Sequence, residues 1–358
     1  MTGDSRMFQL VKTLTELPGP IGHEDAVQDW LVDAWQPLAT TVERTRVNNV
    51  IAHVGGTGPR LLIQAHADEI CLMVKSVSDD GFIHIAIWNA DRAGRPPRWF
   101  FPIGQPARIL GTKGDVDGLF ATASGHVASD EQAERGHFSW NDWFIDVGVT
   151  SAAEVRELGS RPGCRAVWNP PTQRMRGGSR IYGKAMDDRG GLAIITALLE
   201  RVAKADLQYD LSVASTVQEE TGLIGASSLA DHADYDLAIA LDVGLCGDVP
   251  GVDRLDVTPA LGHGPIVVYK DSGVHYSRRL SDQLMALAES NDIPVQPAIF
   301  RRFASDGEAL IRRGVDTALV AFPTRYTHSP FEMVEEGDLD ATVALFAAFV
   351  TSPPAASQ

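Results

Sequence analysis

Leu10, Leu14 and Leu17 recur at intervals of four and three, which predicts a helix from about Arg6 that Pro18 and Gly19 punctuate. A second helical stretch, Glu24–Trp35, places Val27, Trp30, Leu31 and Ala34 on one face. Strands are expected at Val50–Val54 and Arg60–Ala65, divided by the Gly-Gly-Thr-Gly-Pro turn at 55–59. The run Leu61-Leu62-Ile63 is continuously apolar, as in a strand buried on both faces. From about Met73 to Pro171 the pattern shortens to brief alternations at Phe82–Ile87, Ala107–Leu110 and Gly118–Ala123, with no helical period before Ala152–Leu158. After Pro170-Pro171 long elements return. Gly190–Ala203 predicts a helix with Leu192, Ile195, Leu198, Leu199 and Val202 on one stripe. Strands follow at Asp210–Val217, Leu237–Val243 and Ala318–Phe322, and helices at Leu280–Glu289 and near Leu339–Val350. Another helix starts at Ser305, with Glu308 as its capping-box partner. The alternation predicts an α/β fold, a sheet flanked by helices. Residues 1–72 and 172–358 form that domain, and residues 73–171 form an inserted, small β-rich domain.

Composition narrows the function classes. The chain has 358 residues, enough for more than one core. Its 31 Lys and Arg against 47 Asp and Glu leave a formal charge of −16, which repels phosphate backbones and anionic bilayers. Neither nucleic acid nor membrane is expected as a partner. Cys71, Cys164 and Cys246 are odd in number and in no CxxC spacing, so a disulfide scaffold is excluded and a cytoplasmic setting fits. Asp4, Arg6, Lys12 and Glu16 interrupt the first apolar residues, leaving no signal-peptide core. Five of the seven tryptophans (Trp88, Trp99, Trp140, Trp143 and Trp168) fall in the insertion, where core or interface is the expected use.

The chemistry gathers where the strands end. The strand through Leu61–Ile63 runs into His66-Ala67-Asp68, the one from Asp210 into Glu219-Glu220, and the one from Leu237 into Asp242. His328 follows the strand Ala318–Phe322 after a short loop, and Asp187-Asp188 precedes the Gly190–Ala203 helix. Open α/β sheets bind ligands outside the carboxyl ends of their strands. Nitrogen and carboxylate donors without thiolates suit Zn²⁺, Co²⁺ or Mn²⁺. Their number exceeds what one catalytic ion needs and fits a carboxylate-bridged pair of ions roughly 3.5 Å apart. A lone histidine after a strand is more often a hydrogen-bonded or surface residue, and two acids before a helix can simply answer its dipole. His66 gains from Asp68 two residues on, on the same face of an extended segment, where its carboxylate can reach the second imidazole nitrogen. Glu219 and Glu220 would face opposite sides of a regular strand, so both serve one site only if the backbone twists there. One of them suits a ligand and the other an unligated general base. A G-x-S-x-G elbow and a Walker loop are both missing.

The strings Ala65-His66-Ala67-Asp68-Glu69-Ile70, Gly183-Lys184-Ala185-Met186-Asp187-Asp188-Arg189, Val217-Gln218-Glu219-Glu220-Thr221-Gly222, Ala240-Leu241-Asp242-Val243 and Tyr326-Thr327-His328-Ser329-Pro330-Phe331-Glu332-Met333-Val334 resemble the M42 family of dinuclear metallo-aminopeptidases, the tetrahedral TET-type peptidases. Phe144–Gly148 and Leu261–Pro265 extend the likeness over nearly the whole chain. The resemblance implies two divalent ions, Zn²⁺ or Co²⁺, with His66 and Asp242 on one, Glu220 and His328 on the other, and Asp187 bridging. It implies Glu219 as general base, Asp68 as partner of His66, and an Asp187-Asp188 peptide that is often cis in the family. It further implies that the insertion dimerises and that twelve copies assemble into a hollow homo-oligomer acting on short peptides. Cys71, where Gly is usual, His263, where Lys or Ser is usual, and the stretch Trp88–Pro102 depart from the family pattern.

The expected function is therefore a metal-dependent aminopeptidase acting on short peptides. A related dinuclear carboxypeptidase or deacylase is the alternative within the same chemistry. A glycoside hydrolase using Glu219 and Glu220 would need its carboxyls about 5–9 Å apart across one bond, which adjacent residues seldom provide. A catalytically silent peptide-binding protein would have no use for the base.

Overall fold

A computed structural model describes residues 4–87, 103–134 and 138–354. Trp88, Trp99 and the stretch to Pro102 lie outside the described residues. Two compact units are formed. One comprises Met1–Glu69, Thr172–Thr327 and Glu332–Gln358; the other comprises Ile70–Pro171 and the tetrapeptide His328–Phe331.

In the first unit four strands run parallel at the centre of an 11-stranded sheet, in the order Asp210–Thr216, Arg60–His66, Leu237–Leu245 and Asp316–Arg325. Antiparallel strands continue the sheet on both sides, Val50–Gly55 and Thr41–Arg44 on one, Glu332–Glu335, Arg180–Gly183 and Gln173–Arg174 on the other. Leu61, Leu62 and Ile63 are all fully buried, which is why that strand carries no alternation. The helix Met186–Val202 buries the predicted leucine and isoleucine stripe and also Ala193 and Ile194. It is covered on nearly all sides because it packs against the strand Arg60–His66 and the helices Arg6–Glu16 and Glu336–Thr351. Trp35, buried on the helix Asp25–Trp35, donates its indole N–H to Thr196 Oγ1 at 3.0 Å, so its polar edge is satisfied.

Ser305 caps the helix Asp306–Arg312 by accepting from the Gly307 N–H at 3.3 Å. The expected reciprocal bond from Glu308 is replaced by an ion pair with Arg312 one turn on, at 2.6 Å.

The second unit is a closed barrel with neighbour order Leu72–Val77, Ile83–Ile87, Phe144–Asp146, Gly114–Ala121, Pro106–Gly111 and Arg165–Trp168. Closure leaves no edge strand among the barrel's described residues, which explains how strands as short as three residues persist. Leu72, Val74, Ile83, Ile85, Ile109, Phe120, Ile145, Trp143 and Trp168 fill it, with Trp140 packed against them.

Candidate metal centre

The functional side chains come from the carboxyl-terminal parts of parallel strands, the loops that follow them and the start of one helix. His66 is the last residue of its strand and pairs in register with Thr216, the last of the next. Asp242 lies within the strand Leu237–Leu245, opposite Ala321. Asp187 and Asp188 open the helix Met186–Val202 with non-helical backbone, and the peptide between them is cis. His328, with a left-handed φ of 62°, lies on the loop that follows the strand Asp316–Arg325.

His66, Asp187 and Asp242 are buried and offer ligand atoms within 4.8 Å of one another; Asp187, Glu220 and His328 form a second such group. The five residues read as ligands are thus brought together, with Asp187 common to both groups. His66 Nε2 lies 3.1 Å from Asp187 Oδ1. Its Nδ1 is 3.1 Å from the backbone oxygen of Asp68, closer than the 3.6 Å to the Asp68 carboxylate. The expected carboxylate–imidazole pairing is therefore secondary. Asp68 instead accepts from the Glu219 N–H at 2.9 Å and the Glu220 N–H at 3.1 Å. The twist that the adjacent glutamates require comes from Gln218, at φ 53° and ψ 40°, followed by a short 3₁₀ turn over Glu219–Thr221. Asp188 does not share in either ligand group; its Oδ2 accepts from the His66 N–H at 3.1 Å, fixing the strand end. Gly191 is needed beside it, because any Cβ there would run into the Asp188 carboxylate.

Electrostatically, carboxylates outnumber basic groups in the pocket among the described residues. Burial raises the affinities of Glu219 and Asp242 for protons, and neighbouring carboxylates reinforce it: Asp242 and Glu220 around Glu219, Asp187 and Asp188 around Asp242. Burial also raises Asp306, to about 6, although Thr216 donates to it at 2.5 Å. His66 is pulled the other way: burial lowers it, but Asp187 and Asp68 outweigh that and leave it well above its ordinary value. Buried carboxylates in such excess are stable only with protons or cations among them. Imidazole and carboxylate donors on converging strand ends fit divalent ions of the zinc type.

Several residues that shape this region escaped the sequence reading. Lys184 and Glu69 form a buried ion pair with both oxygens at 2.7 Å. Arg189, fully buried, donates to the backbone oxygens of Ala67 (2.5 Å), Leu14 (2.8 Å), Leu17 (3.2 Å) and Gly19 (3.3 Å). It thereby holds the peptide between His66 and Asp68. Glu332 accepts from the Asp187 N–H at 3.0 Å. The available signal was the presence of Lys184 and Arg189 among small and apolar residues, where charged side chains are rare unless paired.

A parallel α/β sheet that gathers histidine and carboxylates at its carboxyl edge suits a metal-dependent hydrolase. The family model described as M42 glutamyl aminopeptidase matches residues 48–345, and the chain belongs to that family. It is a peptide hydrolase, an aminopeptidase. The chain is 29% identical over 343 residues to the lysyl aminopeptidase of Pyrococcus furiosus, covering 94% of this chain and 95% of that protein. The TET aminopeptidase of a marine sediment Thaumarchaeota archaeon superposes with a TM-score of 0.90 at 27% identity, covering 97% of this chain and 96% of the other. The TET1 peptidase of Pyrococcus horikoshii, which can assemble into a tetrahedron or a large octahedral shell, superposes with a TM-score of 0.85 at 27% identity, over 96% and 99% of the two chains.

Proposed function

We propose that the protein removes N-terminal residues from short peptides with two divalent ions, one held by His66, Asp187 and Asp242 and the other by Asp187, Glu220 and His328. The observation that carries this reading is that Asp187 offers ligand atoms to both groups, as a bridging carboxylate must. When bound, such ions supply a Lewis acid for the scissile carbonyl and acidify water. Glu219 is the base: it takes a proton at its carboxylate and passes it to the departing amine. Burial and the surrounding carboxylates raise its proton affinity in the metal-free chain. Asp68 fixes the turn that presents it. The names "glutamyl" for the family and "lysyl" for a relative imply opposite side-chain charges, so neither preference is carried to this chain.

We further propose that the barrel unit dimerises and that the enzyme works as a homododecamer; a similar solved structure is a dodecamer, and the Pyrococcus horikoshii relative can assemble into a tetrahedron. Zn²⁺ or Co²⁺ fits the donor set. Three cysteines, none in a CxxC spacing, suit a cytoplasmic setting. No described helix is long and apolar enough to cross a membrane.

Chelated and Zn²⁺- or Co²⁺-restored protein should be assayed on peptides with free and with blocked amino termini. The proposal expects turnover only after restoration and only on free amino termini. Equal cleavage of blocked peptides would favour a carboxypeptidase or deacylase instead, and chelator-resistant turnover would refute the metal centre.

A further inference from the structure

The strand Asp210–Thr216 ends in register with His66, and the next four residues carry both Glu219 and Glu220. Each of their four successive backbone N–H groups is taken by a side-chain oxygen. Val217 donates to Asn49 Oδ1 at 3.2 Å, Gln218 to Glu24 Oε1 at 3.3 Å, Glu219 to Asp68 Oδ1 at 2.9 Å, and Glu220 to Asp68 Oδ2 at 3.1 Å. Asn49, Glu24 and Asp68 are 0%, 2% and 0% exposed and come from three separate chain segments. The left-handed Gln218 turns consecutive N–H groups toward one concave side, an arrangement that favours anionic oxygens. Asn49 also donates to Gly225 O and Ser228 Oγ, both at 2.9 Å, so one amide spans the two ends of the loop from Val217 to Gly225. Gly225 itself is pressed against Asn49 Oδ1 and the Val217 backbone, leaving no room for a Cβ. Glu24 takes a second N–H, from Gly22, at 2.7 Å.

We propose that Glu24 and Asn49 are positioning residues of the active site. Together with Asp68 they take the four successive N–H groups of the Val217–Glu220 turn, so that Glu219 and Glu220 are presented together. This rests on the proposed roles of Glu219 as base and Glu220 as ligand. Because a buried amide left unsatisfied is costly, loss of either acceptor makes the turn rearrange around the two that remain. His66 and Asp242 are held by other contacts and keep their geometry.

The test compares Glu24→Ala, Glu24→Gln, Asn49→Ala and Asn49→Asp with wild type in the full chain. Zn²⁺ titrations of metal-stripped protein are read beside kcat and KM on a free-amino-terminus peptide. Glu24→Ala and Asn49→Ala should lower kcat by about 10–100-fold with KM within about twofold, and should weaken one class of Zn²⁺ site by a similar factor while sparing the other. Glu24→Gln keeps an acceptor oxygen for Gln218 and should stay near wild type. Asn49→Asp keeps the acceptor but loses the donor to Gly225 O, so it should behave like Asn49→Ala. If Asn49→Ala does not fold, the Glu24 pair decides. Equal weakening of both Zn²⁺ classes, or a Glu24→Ala protein indistinguishable from wild type, would overturn the proposal. Wild-type protein that binds no Zn²⁺, or a fully active Glu219→Gln, would overturn the metal-centre reading itself and is recognisable as that separate failure.

Discussion

Lys184→Met should be among the most damaging single changes in the first unit, although it removes no proposed ligand. Lys184 is 1% exposed and Glu69 3%, and the ammonium meets both carboxylate oxygens at 2.7 Å. Removing one partner of such a pair leaves a desolvated charge and costs about 3–5 kcal/mol. Glu69 would retain the Gly19 N–H at 3.1 Å and the Arg189 guanidinium at 3.7 Å, which places the expectation near the lower end, about 3 kcal/mol. The control is Lys184→Met with Glu69→Gln, which removes both charges and keeps an acceptor for Gly19. Its cost should fall short of the sum of the single costs by about 2 kcal/mol, since contacting residues are not additive. Urea unfolding of the metal-stripped protein, followed by far-ultraviolet circular dichroism, measures all three. A Lys184→Met loss below about 1 kcal/mol, or strictly additive effects, would refute the view that this pair is a buried support beneath His66-Ala67-Asp68.

Glu24 gives a pH prediction. Burial, reinforced by Asp68, raises its carboxyl from 4.5 to about 7 in the folded protein. The folded state thus binds the proton more tightly than the unfolded chain, so stability falls as pH rises through that window; the full cost, about 3 kcal/mol, is present above pH 7 and vanishes below about 4.5. Metal-stripped Glu24→Gln should therefore be more stable than wild type by up to that amount near pH 8 and by little near pH 4.5; a difference independent of pH would contradict it. Leu198→Ala, in the fully buried middle of the helix Met186–Val202, should cost about 2–5 kcal/mol in the same urea assay, and a loss below about 1 kcal/mol would contradict the tight packing there.

The long elements and the candidate ligands were legible because each rests on a local pattern. Leu61–Ile63 betrays a strand buried on both faces, and the stripe from Leu192 to Val202 betrays a packed helix. Strand ends then told where His66, Glu219, Glu220 and Asp242 must meet. Short edge strands such as Thr41–Arg44 and Gln296–Ile299 were not legible, since half-exposed four-residue segments carry too little hydrophobic signal. The helix Ile224–His232 was missed for a similar reason: only Gly225, Ala226 and Leu229 are buried, and no described side chain caps its start. The Ser305 cap was legible but its partner was not, because Glu308 can equally reach Arg312. Non-local polar contacts were the hardest. Nothing near Glu24 or Asn49 in sequence announces that their side chains brace a turn some 170–195 residues on, and Asp68 was assigned to His66 because that neighbour was visible and the Glu219 and Glu220 amides were not.

Glu219 is proposed to stand beside two ions without ligating either. The Zn²⁺ bound per chain in Glu219→Gln, measured by calorimetric titration of stripped protein alongside turnover of a free-amino-terminus peptide, decides this. Two ions should bind as in wild type, with turnover lower by about 10²–10⁴-fold. Loss of an ion in that variant, or turnover preserved with both ions bound, would contradict it.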